Sequence, residues 1–269
     1  MAENTEISWT DHTLNLWWGC AKVHAGCDHC YAEAFAHRYG HQLWGPKAPR
    51  KASKSAFRDV LKFQKKAATD GVVRRVFVGS MMDIFEKPFP LIDSQGNSLP
   101  ETTGHLRQRF FEEVVPACPN LLFLLLTKRP SNILKYIPEG WKTTPPANVM
   151  YGYSVVDRPS SAGIEDLLAV PGRHFLSMEP LLESLSINYW LRTGKLDWVI
   201  VGGESGHGAR LMHAEWAQTI RDECAAAGTL FHFKQWDGKK AGNVLDGQTH
   251  LAVPSIATPK TVAPAPCQS

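Results

Sequence analysis

Short apolar segments alternate with helical segments along most of the chain, and this alternation is the feature that most constrains the fold. The clearest segment is 121–126, six apolar residues in a row, too few for a typical helix and typical of a strand buried on both faces. Further strands are predicted at 7–18, 75–79, 149–155, 174–178, 198–202 and 230–233. Helices are predicted at 31–39, 53–69, 105–115, 131–137, 163–169 and 213–227. This order predicts an α/β fold of parallel βαβ units, a partial (β/α)6-type TIM barrel with six or seven strands.

The length of 269 residues permits one large domain, because α/β barrels often occupy such a length as a single unit. We expect this barrel domain to span 1–240. From 241 to 269 the composition shifts to Gly, Ala, Pro, Thr and Ser, which predicts a flexible tail. Within the domain, 88–100 is rich in Pro, Gly, Asn and Asp and is predicted to be an irregular insertion.

The net charge of +3 gives no support for a strongly basic, non-specific nucleic-acid binder, although it leaves room for a local basic patch. The first residues are polar and do not resemble a signal peptide. No stretch approaches the roughly 18 apolar residues of a membrane span. We therefore expect a cytoplasmic protein with no membrane partner. In a reducing compartment, clustered cysteines more often bind metals than form disulfides.

Three of the six cysteines, Cys20, Cys27 and Cys30, form the pattern C-x6-C-x2-C in a loop after the first predicted strand. Soft thiolate ligands favour zinc or an iron–sulfur cluster. Three thiolates without a fourth leave one coordination position open, as chemistry requires, whereas structural zinc sites are usually closed by four ligands. The alternative is a structural zinc site whose fourth ligand is His24, His29 or His12.

Polar residues directly follow the predicted strands. In parallel α/β folds functional groups gather beyond the carboxyl ends of the strands, so we expect these residues and the cysteine loop to meet at one mouth. The candidates are Ser80, Asp83, Lys128, Arg129, Ser154, Glu179, Glu204, Lys234 and Trp236. Each also has a structural interpretation: Lys128 and Arg129 could begin a solvated helix, and Glu179 could be a buried cap or salt bridge. The glycines at 202–206 form either a tight turn or a place where backbone approaches a ligand.

Two features near the cysteine loop are compatible with nucleic acid but have simpler explanations. The tryptophans Trp9, Trp17, Trp18 and Trp44 are candidates for core or rim packing as well as for base stacking. The basic residues of the predicted helix at 53–69 are typical of a solvated helix face.

Six motifs occur in order between about residues 7 and 236: W-W-G-C-x6-C-x2-C-Y-A-E, V-G-S-M-x-D-x-F-E, L-L-T-K-R-P, S-x-E-P-L-L, V-G-G-E-S-G and F-K-Q-W. With this combination the chain resembles the radical S-adenosylmethionine superfamily, and specifically a phage-associated three-Cys-motif family of largely uncharacterised function. The first gap of six residues differs from the three residues usual in the superfamily. After the second strand, Gly79-Ser80-Met81-Met82-Asp83 stands where Gly-Gly-Glu is usual.

The resemblance implies that Cys20, Cys27 and Cys30 hold a [4Fe-4S] cluster whose fourth iron binds S-adenosylmethionine. It further implies reductive cleavage to a 5′-deoxyadenosyl radical that abstracts hydrogen from a substrate, with an external electron donor such as flavodoxin or ferredoxin. It assigns cofactor contacts by position to Ser80, Asp83, Lys128, Ser154, Glu179, Glu204 and His29. It assigns substrate contacts to Arg129, Lys234 and Trp236. It identifies no catalytic residue.

The leading functional hypothesis is therefore a radical S-adenosylmethionine enzyme acting on a small molecule or nucleic acid, such as a nucleotide or a modified base of phage DNA. If the gene is phage-encoded, the protein would act in the host cytoplasm. The alternative is a zinc-stabilised α/β module that binds nucleic acid or a partner without catalysis. A third class, a metal-dependent hydrolase or deaminase, finds little support, because no H-x-E lies upstream of the C-x-x-C pair at Cys27 and Cys30 and no proline precedes that pair, unlike in zinc deaminases.

Overall fold

The computed structural model describes residues 3–238 and 242–255 of the chain. Its strands are β1 (His12–Leu14), β2 (Trp17–Trp18), β3 (Arg50–Ala52), β4 (Arg74–Val78), β5 (Pro90–Ile92), β6 (Ser98–Thr102), β7 (Leu121–Thr127), β8 (Val149–Ser154), β9 (Arg173–Met178), β10 (Leu196–Gly202), β11 (Leu230–Gln235), β12 (Val244–Leu245) and β13 (Gln248–Thr249). Its helices are α1 (Tyr31–Arg38), α2 (Ala56–Thr69), α3 (Thr103–Arg109), α4 (Val115–Ala117), α5 (Ile133–Tyr136), α6 (Arg158–Ser161), α7 (Gly163–Leu168), α8 (Asn188–Leu191) and α9 (Ala214–Ala227). None of the helices in these two ranges is long and apolar enough to cross a membrane.

In the described part of the chain, seven strands form one parallel sheet in the order β1-β4-β7-β8-β9-β10-β11. These strands occur in the sheet in the same order as in the chain. The sheet curls into a half-barrel. The predicted partial TIM barrel of six or seven strands is confirmed, and its sheet has seven. Because all seven strands are parallel, their carboxyl ends lie along one rim.

The two faces of the sheet carry different cores, because successive side chains of a strand point to opposite faces. On one face Phe123 and Leu125 belong to the main core, in which α2 contacts β7 and α9 contacts β10 and β11. On the other, concave face lies a smaller apolar cluster of Trp9, Phe77, Leu122, Leu124, Met150, Phe175, Trp198 and Ile200. The uninterrupted apolar run of β7 thus serves both cores, as expected for a strand covered on both sides.

The predicted insertion at 88–100 is not irregular, and this expectation is wrong. The segment forms β5 and β6, which join β2 and β3 in a second, four-stranded sheet. Asp93 closes the hairpin turn by accepting backbone hydrogen bonds from Gln95 (2.8 Å) and Asn97 (2.9 Å). The sequence could not show this, since β5 pairs with β3, which lies about 40 residues earlier, and turn residues dominate the local pattern.

Two further differences concern the ends of elements. The predicted helix at 105–115 begins as α3 and continues as a π-helical turn, Phe110–Val114. Of the predicted tail, the structure describes 242–255, where β12 and β13 form a hairpin. Ala252 in this segment accepts a hydrogen bond from the indole of Trp198 at 2.9 Å. The remainder of the predicted tail, 256–269, lies outside the described residues.

Replacing Gly152 with alanine tests the packing of the concave face. A Cβ atom at this position of β8 would lie 2.1 Å from the ring of Phe175, which fills the space beside it. We expect Gly152→Ala to lower the free energy of unfolding by about 3 kcal/mol, the cost of overpacking a rigid core. Urea denaturation measures this change.

Gly140→Ala is the matched control, because nothing lies within 4 Å of its Cβ position. We expect it to change the free energy of unfolding by less than about 1 kcal/mol. Equal effects of the two substitutions would contradict the packing described for the concave face.

Candidate active site

A cavity of about 430 Å³ opens at the carboxyl rim of the parallel sheet. Its apolar floor consists of Trp9, Phe77 and Leu126, which belong to the concave core or pack against it. The three clustered cysteines, Cys20, Cys27 and Cys30, all line this cavity. The structure therefore brings the cysteine loop and the strand ends together at one mouth.

Six polar residues singled out from the strand ends also line the cavity: Ser80, Asp83, Lys128, Ser154, Glu179 and Lys234. In the described part of the chain, the cavity lining does not include three further strand-end candidates, Arg129, Glu204 and Trp236. It also does not include His29 of the cysteine loop. Of these, Trp236 has a structural role, because its indole donates to the backbone oxygen of Val244 at 2.9 Å and its ring packs on Phe233.

The local conformation of the cysteine loop follows from its sequence. Gly19, just before Cys20, has a φ of +115°, and a Cβ atom there would lie 2.5 Å from the backbone oxygen of Leu43. His24 begins a short 3-10 helix, Ala25–Cys27, and accepts the backbone N–H of Gly26 at 3.1 Å. Cys30 directly precedes α1.

Arg129 holds the first end of the cysteine loop. Its guanidinium donates to the backbone oxygen of Ala21 at 2.7 Å and lies 3.7 Å from the sulfur of Cys20. It is itself held by Asp83, to which it donates at 2.7 Å. The same carboxylate accepts hydrogen bonds from the Thr127 hydroxyl (2.7 Å) and from the backbone N–H groups of Phe85 (2.9 Å) and Lys128 (3.1 Å). Asp83 thus joins β4, β7 and the cysteine loop.

Glu86 extends this buried charge network. It accepts two hydrogen bonds from Arg50, at 2.9 and 2.7 Å, and lies 3.5 Å from Arg129. The guanidinium of Arg50 also donates to the backbone oxygen of Leu43, at 3.0 Å, and to those of Gly45 and Ala48. In this way Arg50 holds the loop that places Trp44 on the cavity wall.

A second arginine, Arg210, holds the other half of the cysteine loop. It donates to the backbone oxygen of Ala25 at 3.1 Å and is held by Glu204, at 2.5 Å for the shortest of three contacts. Glu204 also contacts His29 at 2.8 Å. Burial alone would raise the pKa of Glu204, but hydrogen bonds from Arg210 and His29 outweigh burial and hold it at about 2. Glu204 therefore positions the loop from beneath.

The thiol of Cys20 lies in a buried, charged environment. Burial and the nearby carboxylate of Asp83 raise its pKa to about 12, although Arg129 opposes this change. A metal ion bound to the sulfur would replace its proton, because thiols coordinate as thiolates. The guanidinium of Arg129 would then stabilise the negative sulfur, as hydrogen-bond donors around metal ligands commonly do.

A single metal ion and an iron–sulfur cluster require different arrangements of the cysteine sulfurs. A single zinc ion requires each sulfur to lie about 2.3 Å from one point. In an iron–sulfur cluster each cysteine binds a different iron. Among residues 3–238 and 242–255, no three His, Cys, Asp or Glu side chains lie close enough together to bind one metal ion, while the three cysteines line the same cavity.

The rest of the cavity wall offers cations and hydroxyls. Lys128 lies 3.4 Å from the Ser154 hydroxyl, and Lys234 donates to Glu179 at 2.9 Å. Such groups can bind the carboxylate and hydroxyl groups of a polar ligand. The second oxygen of Glu179 is buried without a hydrogen-bond partner in the described part of the chain.

Sequence reasoning missed several residues that shape this site. Asn15 donates to the Ser80 hydroxyl at 2.8 Å and accepts the backbone N–H of Met81 at 2.8 Å. Tyr31 donates to the backbone oxygen of Ser80 at 2.7 Å. Arg210 follows a glycine-rich turn. Asn15 and Arg210 belong to none of the six motifs, and Tyr31 stands in the cysteine motif without an assigned role, so only the folded chain reveals their contacts.

The Glu204–Arg210 pair predicts an acid-sensitive contribution to stability. Glu204 has a pKa of about 2 in the folded protein against 4.5 ordinarily, so the unfolded chain binds more protons between these values. Its contribution is present above about pH 4.5 and is lost as the pH falls toward about 2. We expect Glu204→Gln to lower the free energy of unfolding by about 2 kcal/mol at pH 7, the value of hydrogen bonds to charged groups, and by much less at pH ~2.5.

Urea denaturation at the two pH values measures this difference, with Glu101→Gln as the control because Glu101 is exposed on β6. A cost of Glu204→Gln that is the same at both pH values would show that the carboxylate charge does not hold the loop.

Known proteins can be compared with this chain both by fold and by sequence. A point mutant of spore photoproduct lyase is among the solved structures that are similar to this chain, with a TM-score of 0.44 and 11% sequence identity. The similarity covers 77% of this chain and 59% of that chain, and at this level it says nothing about activity. No curated protein matches the sequence. The family DUF5131, described as "Protein of unknown function", matches residues 4–254, and the chain belongs to this family.

Proposed function

We propose that the protein is a radical S-adenosylmethionine enzyme. The observation that carries this proposal is the position of Cys20, Cys27 and Cys30 around one cavity, at the carboxyl rim of a parallel half-barrel. The chain's order of motifs supports it independently. The proposal concerns the type of chemistry, and the reaction outcome stays open.

The three cysteines would hold a [4Fe-4S] cluster and leave one iron for S-adenosylmethionine. When bound and reduced by an external electron donor, the cluster would supply the one electron that cleaves S-adenosylmethionine to methionine and a 5′-deoxyadenosyl radical able to abstract hydrogen from a substrate. Arg129 and Arg210 hold the two halves of the loop that carries the cysteines. A fixed ligand loop lowers the conformational cost of cluster binding.

Cavity residues divide between binding and water exclusion. Lys128 would offer positive charge to the carboxylate of S-adenosylmethionine, and Ser80 and Ser154 would offer hydroxyls to its amino and ribose groups. The apolar floor keeps water from reactive species. Asp83 contributes by holding Arg129, because both of its oxygens already accept hydrogen bonds from the protein. Glu204 likewise acts through Arg210.

The finer expectations from the sequence stay predictions. They are the phage association, a nucleotide or modified DNA base as substrate, and flavodoxin or ferredoxin as electron donor. Glu179 and Lys234, paired at 2.9 Å on the cavity wall, are the residues we propose for substrate or ribose contact.

Anaerobic reconstitution with iron and sulfide tests the proposal. We expect a brown protein with about four irons per chain and, after addition of S-adenosylmethionine and reductant, formation of 5′-deoxyadenosine. Cys20→Ala should lose most of the iron and the product yet remain folded by circular dichroism. Cys267→Ala, which changes a cysteine outside the cluster motif, should behave as the unaltered protein.

A different outcome would favour the zinc module. A colourless protein with about one zinc per chain, whose Cys20→Ala variant unfolds, would contradict the proposal, because structural zinc contributes directly to folding.

A further inference from the structure

An exposed row of aromatic side chains lies on helix α1. It consists of Tyr31, Phe35 and Tyr39, which are spaced four residues apart. Tyr31 and Phe35 belong to α1 and Tyr39 caps its C-terminal end, so the three side chains lie on one face of the helix. Their exposed fractions are 52%, 40% and 62%, and the rings of Phe35 and Tyr39 lie 4.9 Å apart. Contiguous exposed apolar surface of this kind on a globular protein commonly marks a binding site.

This row begins at the cavity and leads away from it. Tyr31 lines the cavity, where its hydroxyl is held by the backbone oxygen of Ser80. Tyr39 lies eight positions after Tyr31, which corresponds to about 12 Å along the helix axis. That length matches roughly three stacked nucleotides at ~3.4 Å each.

A fourth ring widens the row at its middle. Trp18 on strand β2 is half-exposed and lies 5.9 Å from Phe35. Its partner in the neighbouring strand is Lys51, whose ammonium lies 3.3 Å from the ring of His41. His41 in turn contacts Trp18 edge-on at 6.2 Å. We call Tyr31, Phe35, Tyr39 and Trp18 the aromatic row.

Basic side chains dominate the segment that carries the aromatic row. Between Tyr31 and Lys54 the exposed charged residues are Arg38, Lys47 and Lys54, all basic. The single acidic residue in this segment, Glu33, is partly buried and pairs with Lys22 at 3.3 Å. The exposed charges of this segment are therefore all positive, and Lys51 lies beside Trp18 in the neighbouring strand.

We propose that the aromatic row binds a single strand of nucleic acid beside the cavity. Every base has a π-face that stacks on aromatic rings, and the phosphates of the strand require cations, so this surface supplies both halves of such a site. A duplex hides its base faces and fits the row poorly. A protein partner would have to combine apolar side chains with carboxylates to match both the rings and the cations, whereas a single strand carries bases and phosphates in every nucleotide. That the strand is the substrate, with one base reaching past Tyr31, rests on the proposed function.

Fluorescence anisotropy with labelled oligothymidylate of about 12 nucleotides tests the binding, since single-strand sites commonly span 4–16 nucleotides. We expect affinity to fall about tenfold for each of Phe35→Ala and Tyr39→Ala, the low end of base–aromatic stacking. Affinity should also fall steeply with added salt. Oligouridylate and a duplex of equal length show whether RNA serves as well as DNA and whether a single strand is required.

Tyr189→Ala is the matched control, because Tyr189 is 71% exposed on α8 and belongs to a different surface. It should leave the affinity unchanged. Equal affinity of Tyr39→Ala and the unaltered protein, tighter binding of duplex, or no binding of any oligonucleotide would overturn the inference. Self-association of the protein, measured by sedimentation, would also overturn the inference if it buries the rings of the aromatic row between two copies of the chain.

The binding measurement needs neither the cluster nor S-adenosylmethionine, so the two proposals can fail separately. Oligonucleotide binding without formation of 5′-deoxyadenosine would overturn the proposed function and leave the binding surface in place. The reverse result would overturn the binding surface alone.

Discussion

The ion pair between Asp83 and Arg129 is the contact on which the geometry of the cavity depends. Asp83 lies in the loop after β4, Arg129 lies in the loop after β7, and Arg129 reaches from there to the backbone of the cysteine loop. The Asp83 side chain is 6% exposed and that of Arg129 15%, so each needs its partner: breaking a buried pair typically costs about 3–5 kcal/mol, because a charge is left uncompensated. The pair is therefore well suited to hold the loop against the ends of the strands.

A second pair, Glu204 and Arg210, does the same at the opposite side of the barrel. Each pair consists of a buried carboxylate at a strand end and an arginine that donates to a backbone oxygen of the cysteine loop, at Ala21 in one case and Ala25 in the other. Two fixed points within five residues leave the loop little freedom. Ligand loops that are ordered before the metal binds keep their sulfurs in position and limit the entropy lost on binding.

The concave face grades from apolar to polar toward this loop. Trp9, Phe77 and Leu126 form a dry floor, and hydroxyls and ammonium groups gather above them at the rim. This gradient follows from the parallel sheet, in which strand interiors are covered on both faces while strand ends point into loops. The aromatic row continues the surface outward from the same rim along α1. The cavity and the surface proposed for nucleic acid thus meet at Tyr31.

The local pattern of the sequence determined much of this architecture. Apolar runs such as 121–126 identified the strands, and the left-handed Gly228, with a φ of +69°, ends α9 where expected. Parallel strands bring their ends together, so Ser80, Lys128 and Ser154 could be placed near the cysteines without coordinates. The second sheet was missed because β3 and β5 pair across a long separation, for which no local periodicity exists.

Only the tertiary structure decided which polar residues face the cavity and which hold the loop. Asp83 and Glu204 follow strands just as Ser154 and Glu179 do, yet their carboxylates are directed to arginines. Arg129 meets Cys20 across 109 positions of the chain, and Arg210 meets Ala25 across 185. The periodicity of neighbouring residues can be read from the sequence, and this periodicity determines secondary structure. Pairing between distant charges depends instead on where folding brings them, because a hydrogen bond requires its two atoms to lie within about 3 Å.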